Sequence, residues 1–260
     1  MRSIGHPLLS PMPIWVDRIL RRGRGGSAGQ FFFEMQQGNM TIRIALIHAV
    51  AVAVAPVKAA FGELWPEAEC VNILDDSLSV DRERDQTLTA AMTRRIIALA
   101  EYGHATGAAG ILFTCSAFGP AIEAAERLPV PVLKPNEAMF EAALTAGRRI
   151  GMLATFAPSV KSMEEEFRQM AAMRHSPATI ETYCVPGAMA ALKAGDTAAH
   201  DRVVAEAAPR FGDHDAVLLA HFSTSRAAAA ANAKLGRPVL TSPASAVAKL
   251  KSILTGTGLQ

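Results

Sequence analysis

The chain has 260 residues, of which 50% are hydrophobic and 19% are charged, and its formal net charge at pH 7 is +2. This is the composition of an ordinary globular protein, and a charge balance so near neutral does not support binding to nucleic acid or to an anionic membrane surface. The 3 cysteines form no CxxC pair, which argues against a disulfide framework or a zinc site and favours the reducing cytosol. We therefore expect a cytoplasmic protein that acts on a small molecule and holds no metal; the composition leaves open whether it forms a homo-oligomer.

Residues 1–39 differ from the rest of the chain. They include a basic, glycine-rich stretch at residues 18–26 and three consecutive phenylalanines at 31–33, without periodicity. The segment lacks the continuous apolar core and cleavage site of a signal peptide. A transit peptide is one interpretation; the favoured one is an extension, disordered or wrongly started, ahead of a second start at Met40. The patterned sequence, and with it the predicted fold, begins at Met40.

From Met40 onward, short apolar runs alternate with longer helical patterns, which is typical of a parallel α/β sheet. Strands are predicted over residues 43–48, 70–74 and 110–114. Helices are predicted from about Pro56, over 85–102 and over 120–127. The middle helix has apolar residues at a spacing of three or four: Leu88, Met92, Ile96 and Leu99.

The second half of the chain repeats the first. At an offset of 106 residues, Arg43 falls on Arg149 and residues 111–113 fall on 217–219. One residue later in register, residues 131–133 fall on 238–240. Neighbouring βα units resemble each other by default, but one offset held this far along the chain is hard to obtain by chance.

The repeat predicts an α/β fold of two pseudo-symmetric, flavodoxin-like lobes with parallel sheets. The first lobe covers residues 40–148 and the second covers 149–240, and a C-terminal helix within 241–260 is expected to pack back on the first lobe. Ligands of such sheets bind beyond the carboxyl ends of the strands. We therefore expect the active site in the cleft between the lobes.

At the shared offset, Cys115 corresponds to His221, and each follows a predicted strand. A helix N-terminus after Cys115 is expected to lower the pKa of its thiol, and a histidine titrates near neutrality. The pattern thus predicts an acid–base pair on opposite walls. The alternatives are a core cysteine, which is our interpretation of Cys70 and Cys184, and a histidine that only orients a neighbour.

Two other strand-end loops are candidates for the site. Residues 155–159 lead into a helix predicted over 160–173, and their hydroxyl and N–H groups could hold a carboxylate, although Ser159 could equally be the helix N-cap. His48 takes the matching place in the first lobe. Residues 75–77 either face the cleft or cap the next turn.

Three segments, residues 74–78, 112–119 and 151–158, resemble the aspartate/glutamate/hydantoin racemase superfamily. The resemblance extends from about Ile42 to Leu254. It implies two pseudo-symmetric α/β lobes, no cofactor, and a catalytic cysteine after a strand in each lobe, on opposite faces of the substrate's α-carbon.

By this resemblance, Cys115 is the first catalytic cysteine, and Ser116 and Thr155 bind the substrate carboxylate. His221 stands where the second cysteine is expected, and it is our second catalytic candidate. The other predicted substrate-binding residues lie at the same strand ends: His48, Ala117, Phe156 and Ser223.

We therefore predict a cofactor-independent racemase or isomerase that transfers protons at the α-carbon of a small amino acid, a hydantoin-like compound or a related carboxylate. The alternative is a cofactor-free decarboxylase of a malonate-type acid, because arylmalonate decarboxylases of the same superfamily also keep a single cysteine, although in the second lobe. A solute-binding protein would also have two lobes. Such a protein is expected to have a secretory signal and no reactive thiol, and this sequence shows the opposite.

Overall fold

The computed structural model describes residues 41–256, so the predictions for residues 1–39 lie outside the described part of the chain. The strands of the first sheet are β1 (Arg43–His48), β2 (Glu69–Leu74), β3 (Gly110–Phe113) and β4 (Val132–Leu133). Those of the second sheet are β5 (Arg149–Ala154), β6 (Thr179–Cys184), β7 (Ala216–Leu219) and β8 (Leu240–Thr241). The strand orders, β2-β1-β3-β4 and β6-β5-β7-β8, are one arrangement repeated, and all pairings are parallel. The predicted α/β class with two similar lobes is confirmed.

Helices cover the sheets. In the first half of the chain they are α1 (Val54–Leu64), α2 (Ser77–Asp85), α3 (Ala90–Ala105), α4 (Gly119–Ala125) and α5 (Glu137–Ala146). In the second half they are α6 (Ala157–Met173), α7 (Ala188–Lys193), α8 (Thr197–Ala207), α9 (Ala228–Leu235) and α10 (Ser242–Thr255). Short 3₁₀ turns occur at Ala51–Ala53, Ser116–Phe118, Ala208–Phe211 and Ser223–Ala227. Across residues 41–256, none of the helices combines the length and the apolar character that a membrane span requires.

The strand registers reproduce the repeat found in the sequence, including its slip. The pairing of β1 with β3 maps onto the pairing of β5 with β7 at an offset of 106 residues. On the other side of these strands, Leu112 pairs with Leu133 and Leu218 pairs with Leu240, so the last strand of each lobe is offset by 107. The sequence repeat is therefore a repeat of three-dimensional structure.

The predicted helix over 85–102 is wrong at its start. The structure has two helices here, because α2 ends at Asp85 and Gln86 adopts a left-handed φ of 57°. The next helix begins at Ala90, after Thr89, whose hydroxyl oxygen accepts a hydrogen bond from the Met92 N–H. An N-cap threonine fixes a helix start in this way. The helix α2 was not predicted, since its charged sequence carries little apolar periodicity.

The two lobes exchange their closing helices. The C-terminal helix α10 buries Val247 and Leu250 in the core cluster on the first sheet. In the opposite direction, α5 buries Met139 and Phe140 in a core cluster on the second sheet. Each sheet is thus covered on one face by a helix that belongs to the other half of the sequence, which joins the lobes through apolar packing.

Polar contacts lie where these two helices meet. The Ser242 hydroxyl donates to the Asn136 side-chain oxygen at 3.1 Å, and both residues are buried at the starts of their helices. Further along, the Lys249 ammonium lies 2.7 Å from the Glu137 carboxylate and 2.8 Å from that of Glu141. These contacts fix the relative position of the lobes, and hence the spacing of the strand ends that face each other.

Candidate active site

Cys115 lies two residues after the end of β3 and is the N-cap residue of the 3₁₀ turn Ser116–Phe118. The side chain is half-buried in an apolar recess formed with Leu78, Phe113 and Phe118. Burial raises the pKa of the Cys115 thiol, although the Ala117 N–H and the charge of Arg82 act in the opposite direction.

The expectation of a lowered pKa at Cys115 is therefore corrected. The helix whose N-terminus was invoked, α4, starts only at Gly119, after the 3₁₀ turn. The effect of a helix dipole is confined to its terminal turn, so desolvation of the thiolate outweighs it. Cys115 rests as a neutral thiol, which is a proton donor.

Arg82 is a charged neighbour of Cys115 that was not predicted from the sequence. It lies on α2, and its Nε donates to the Ala117 carbonyl oxygen at 3.4 Å. This contact ties the guanidinium group to the turn that follows Cys115. The sequence offered no signal for it, because α2 was not predicted and its charges could not be placed.

His48 is fully buried at the end of β1, and its ring joins three neighbouring strands. Its Nδ1 lies 2.9 Å from the Thr114 hydroxyl, and its Nε2 lies 3.0 Å from the Asn72 side-chain oxygen. Burial lowers the pKa of His48, so the ring is neutral at pH 7. Both ring nitrogens have hydrogen-bond partners, so His48 holds Thr114, the residue before Cys115, and it also lines the recess that contains Cys115.

His221 occupies the equivalent strand end of the second lobe, after β7. Its backbone has a left-handed φ of 71°, which is uncommon for a residue with a Cβ and occurs where the surroundings enforce it. Its Nε2 lies 2.6 Å from the Ser159 hydroxyl, while its Nδ1 is buried and has no hydrogen-bond partner within residues 41–256.

Burial lowers the pKa of His221 to about 4, so the expected titration near neutrality is corrected and the ring is neutral at pH 7. Ser159 is not the N-cap of its helix, because α6 begins at Ala157 and the Ser159 side chain lies in its first turn. There the Ser159 hydroxyl lies 2.9 Å from the Phe156 carbonyl oxygen and can donate to it.

The hydroxyl groups predicted to bind a carboxylate lie at the same strand ends. Thr155 is buried after β5, with its Oγ1 3.4 Å from that of Thr224. Phe156, which follows it, is 42% exposed. Of the remaining predicted contacts, two are half-buried serines and one is an exposed alanine: Ser116, Ser223 and Ala117.

The loop that carries His221 reaches the first lobe. Phe222, the next residue, is 3% exposed and packs in the core cluster that contains Leu46 and Leu112 of the first sheet. The loop after β7 is thereby anchored on the lobe that carries Cys115. Cys115 and His221 thus occupy equivalent strand ends of the two joined lobes.

Asp75 belongs to a structural ion pair. Its carboxylate lies 2.5 Å from Arg95 on α3 and accepts a hydrogen bond from Ser77. This decides the open question about residues 75–77 in favour of anchoring the start of α2. The described residues contain no group of three or more His, Cys, Asp and Glu side chains placed to hold a metal ion.

Comparison with known protein families identifies one family that matches the chain. The family model described as Asp/Glu/Hydantoin racemase matches residues 50–250. No curated protein sequence matches the chain.

Solved structures with the same fold include racemases of several substrates and a decarboxylase. Allantoin racemase from Klebsiella pneumoniae is 20% identical with a TM-score of 0.63, covering 83% of this chain and 88% of its own. Picrophilus torridus aspartate racemase is 15% identical with a TM-score of 0.64, covering 84% and 96%. The Gly74Cys mutant of arylmalonate decarboxylase is 19% identical with a TM-score of 0.57, covering 84% and 95%. At these identities the likeness establishes the fold.

Proposed function

The chain belongs to the Asp/Glu/hydantoin racemase family and is an enzyme of the isomerase class, as predicted. We propose that it moves protons at the α-carbon of a small carboxylate compound, with Cys115 and His221 as its two catalytic groups. The observation that carries this proposal is the placement of these residues at equivalent strand ends of two repeated lobes. A racemase must exchange protons on both faces of one carbon, and two opposed acid–base groups meet that need without a cofactor.

Cys115 acts as the acid in the resting enzyme. Because burial keeps its thiol protonated, it can give its proton to a carbanion that forms in front of it. Thr114 and His48 act through Cys115: their buried hydrogen bond at 2.9 Å fixes the end of β3 and so the direction of the thiol.

His221 acts as the base, and Ser159 selects the nitrogen that does so. If the single hydroxyl proton of Ser159 goes to the Phe156 carbonyl, Ser159 can only accept from His221. The neutral ring then carries its proton on Nε2, which leaves the lone pair on Nδ1. That atom has no hydrogen-bond partner within the described residues, and we assign it as the acceptor of the substrate's proton.

In one turnover, the bond between the α-carbon and its hydrogen breaks, and the proton passes to Nδ1 of His221. The electron pair remains on the carbon as a carbanion delocalised into the carboxylate. A new bond forms on the other face with the proton from Cys115, which leaves a thiolate and an imidazolium. This is the protonation state required for the opposite enantiomer, so the two states together serve both directions.

The carboxylate needs donors that hold its developing negative charge. Ser116, Thr155 and Ser223 lie at the strand ends from which hydroxyl groups can supply them. The enzyme depends on a reduced thiol at Cys115, which supports a cytoplasmic location.

The second candidate function is decarboxylation of a malonate-type acid. The low pKa of His221, about 4, favours it, because a group that is hard to protonate is a weak base. In that reaction the bond from the α-carbon to one carboxylate breaks and carbon dioxide leaves with neither proton nor electron pair. Cys115 then protonates the carbon from one side, and solvent restores the thiol.

Turnover in D2O separates the two reactions. Amino acids, hydantoins and malonates are incubated with the enzyme, and α-deuterium, optical rotation and carbon dioxide are measured. Deuterium uptake with loss of optical activity supports racemisation, whereas carbon dioxide with a single product enantiomer contradicts it. Cys115→Ala should abolish turnover while the folded structure is kept, and Cys70→Ala is the matched control, since Cys70 is a half-buried cysteine on β2.

A further inference from the structure

Arg82 differs from the arginines around it. Arg84, on the same helix, lies 3.0 Å from Asp81 and 2.8 Å from Asp85. Arg95 on α3 is paired with aspartates at 2.5 and 2.6 Å. Arg82 has no carboxylate partner among residues 41–256, and a single long hydrogen bond from its Nε accounts for its polar contacts there.

The two terminal nitrogens of Arg82 therefore remain free to donate. They are also placed usefully, because the Nε contact at 3.4 Å goes to Ala117, two residues after Cys115. A guanidinium group is always charged and presents its donors as a planar fork that matches a carboxylate. An unpaired group of this kind at the wall that carries the reactive thiol is an anion-binding position.

We propose that Arg82 is a specificity-determining residue that binds an anionic group of the substrate beside Cys115, so that the enzyme takes carboxylic acids in preference to neutral ring compounds of the hydantoin type. This deepens the function proposed above and rests on it.

Two alkylating reagents that differ in charge test this directly. Iodoacetate is an anion and iodoacetamide is its neutral amide, and both displace iodide from the same thiolate. The rate of modification of the Cys115 peptide is measured by mass spectrometry for the wild type, Arg82→Gln and Arg84→Gln. The ratio of the two rates cancels any change in the thiolate fraction and leaves the attraction of the site for the negative reagent.

Removing Arg82 should lower the iodoacetate-to-iodoacetamide ratio at Cys115 by about fivefold, the contribution of one charge at contact distance in water. Arg84→Gln should leave the ratio at the wild-type value. An unchanged ratio in Arg82→Gln overturns the inference. An equal fall in both variants also overturns it, because the effect would then come from the general charge of α2.

Thermal unfolding provides a second measurement where alkylation of the folded protein is too slow. Malonate should raise the Tm of the wild type and of Arg84→Gln more than malonamide does, and this difference should be lost in Arg82→Gln. Equal stabilisation of the wild type by malonate and malonamide, or equal stabilisation of the wild type and Arg82→Gln by malonate, overturns the inference.

The two proposals fail separately. If neutral hydantoins are racemised and Cys115→Ala is inactive, the proposed reaction stands and the assignment of Arg82 falls. If Cys115→Ala retains turnover while the rate ratio still depends on Arg82, the anion-binding position stands and the catalytic role of Cys115 falls.

Discussion

His221 should make the folded protein sensitive to mild acid. Its pKa is lowered by burial from 6.5 to about 4. Between these values the unfolded chain binds a proton at this side chain and the folded protein does not. Stability rises with pH wherever the unfolded state binds more protons. His221 therefore leaves the free energy of unfolding unchanged above about pH 6.5 and lowers it progressively as the pH falls toward about 4.

The two pKa values set the size of the effect. At about pH 5, the linkage relation gives a loss of about 2 kcal/mol in the free energy of unfolding. His221→Asn removes the titrating group, and asparagine tolerates the left-handed backbone at this position. The free energy of unfolding by urea is measured at about pH 7 and about pH 5, and the loss between them is compared for wild type and variant.

His175→Asn is the matched control, because His175 is exposed and also has a left-handed φ, of 50°. The wild type and His175→Asn should lose about 2 kcal/mol more than His221→Asn over this interval. His48, whose pKa is also lowered, titrates alike in all three proteins and cancels. If His221→Asn shows the same loss as the wild type, the pKa of His221 is not lowered in the folded protein, and its assignment as a buried ring that resists protonation is refuted.

Three further predictions concern the supports of the site. Ser159→Ala should lower kcat by up to about tenfold, and Ser159→Thr should restore part of the loss. Ser162→Ala, one helical turn further along, is the control and should leave kcat unchanged. Nitrogen NMR of His221 in Ser159→Ala should show that the ring proton has left Nε2. Thr114→Val leaves Nδ1 of the buried His48 without its partner and should lower the free energy of unfolding by about 1–3 kcal/mol, measured by urea denaturation. Gly151→Ala places a Cβ 2.3 Å from a ring carbon of Phe211 in the facing 3₁₀ turn. This clash should lower the free energy of unfolding by about 1–3 kcal/mol or more, which is measured as a lower Tm.

The sequence predicted the sheets well because the repeat is a property of residue order alone. Parallel strands buried on both faces are continuous apolar runs, so β3 and β7 are visible as such, and comparing the halves located their equivalent ends. The exchange of closing helices was only half predicted. A C-terminal helix on the first lobe was expected, but the packing of α5 on the second sheet was not, because an apolar helix face does not specify which sheet it covers.

The site was predicted by position and missed in its electrostatics. The places of Cys115 and His221 follow from the repeat, but the expected lowering of the Cys115 pKa was wrong in direction, and the pKa of His221, expected near neutrality, is lowered to about 4. A pKa depends on burial and on neighbours distant in sequence, and neither is visible in the residues next to a titrating group. Arg82 was missed for the same reason, since its neighbour Ala117 is 35 residues away along the chain.

The two walls of the site are built differently, and this has a kinetic consequence. Cys115 follows Thr114, whose side chain is hydrogen-bonded to His48. In the second lobe, Ala220 stands in the place of Thr114 and Ala154 in the place of His48, and both are buried and apolar. His221 is held instead from outside its sheet, by Ser159 on α6. The two proton transfers thus have unlike groups and unlike supports. Because the two enantiomers are equally stable, kcat/KM must still be equal in both directions. The asymmetry can therefore appear only in kcat and KM taken separately, and in α-deuterium isotope effects that differ between the enantiomers, where two identical thiols would give similar values.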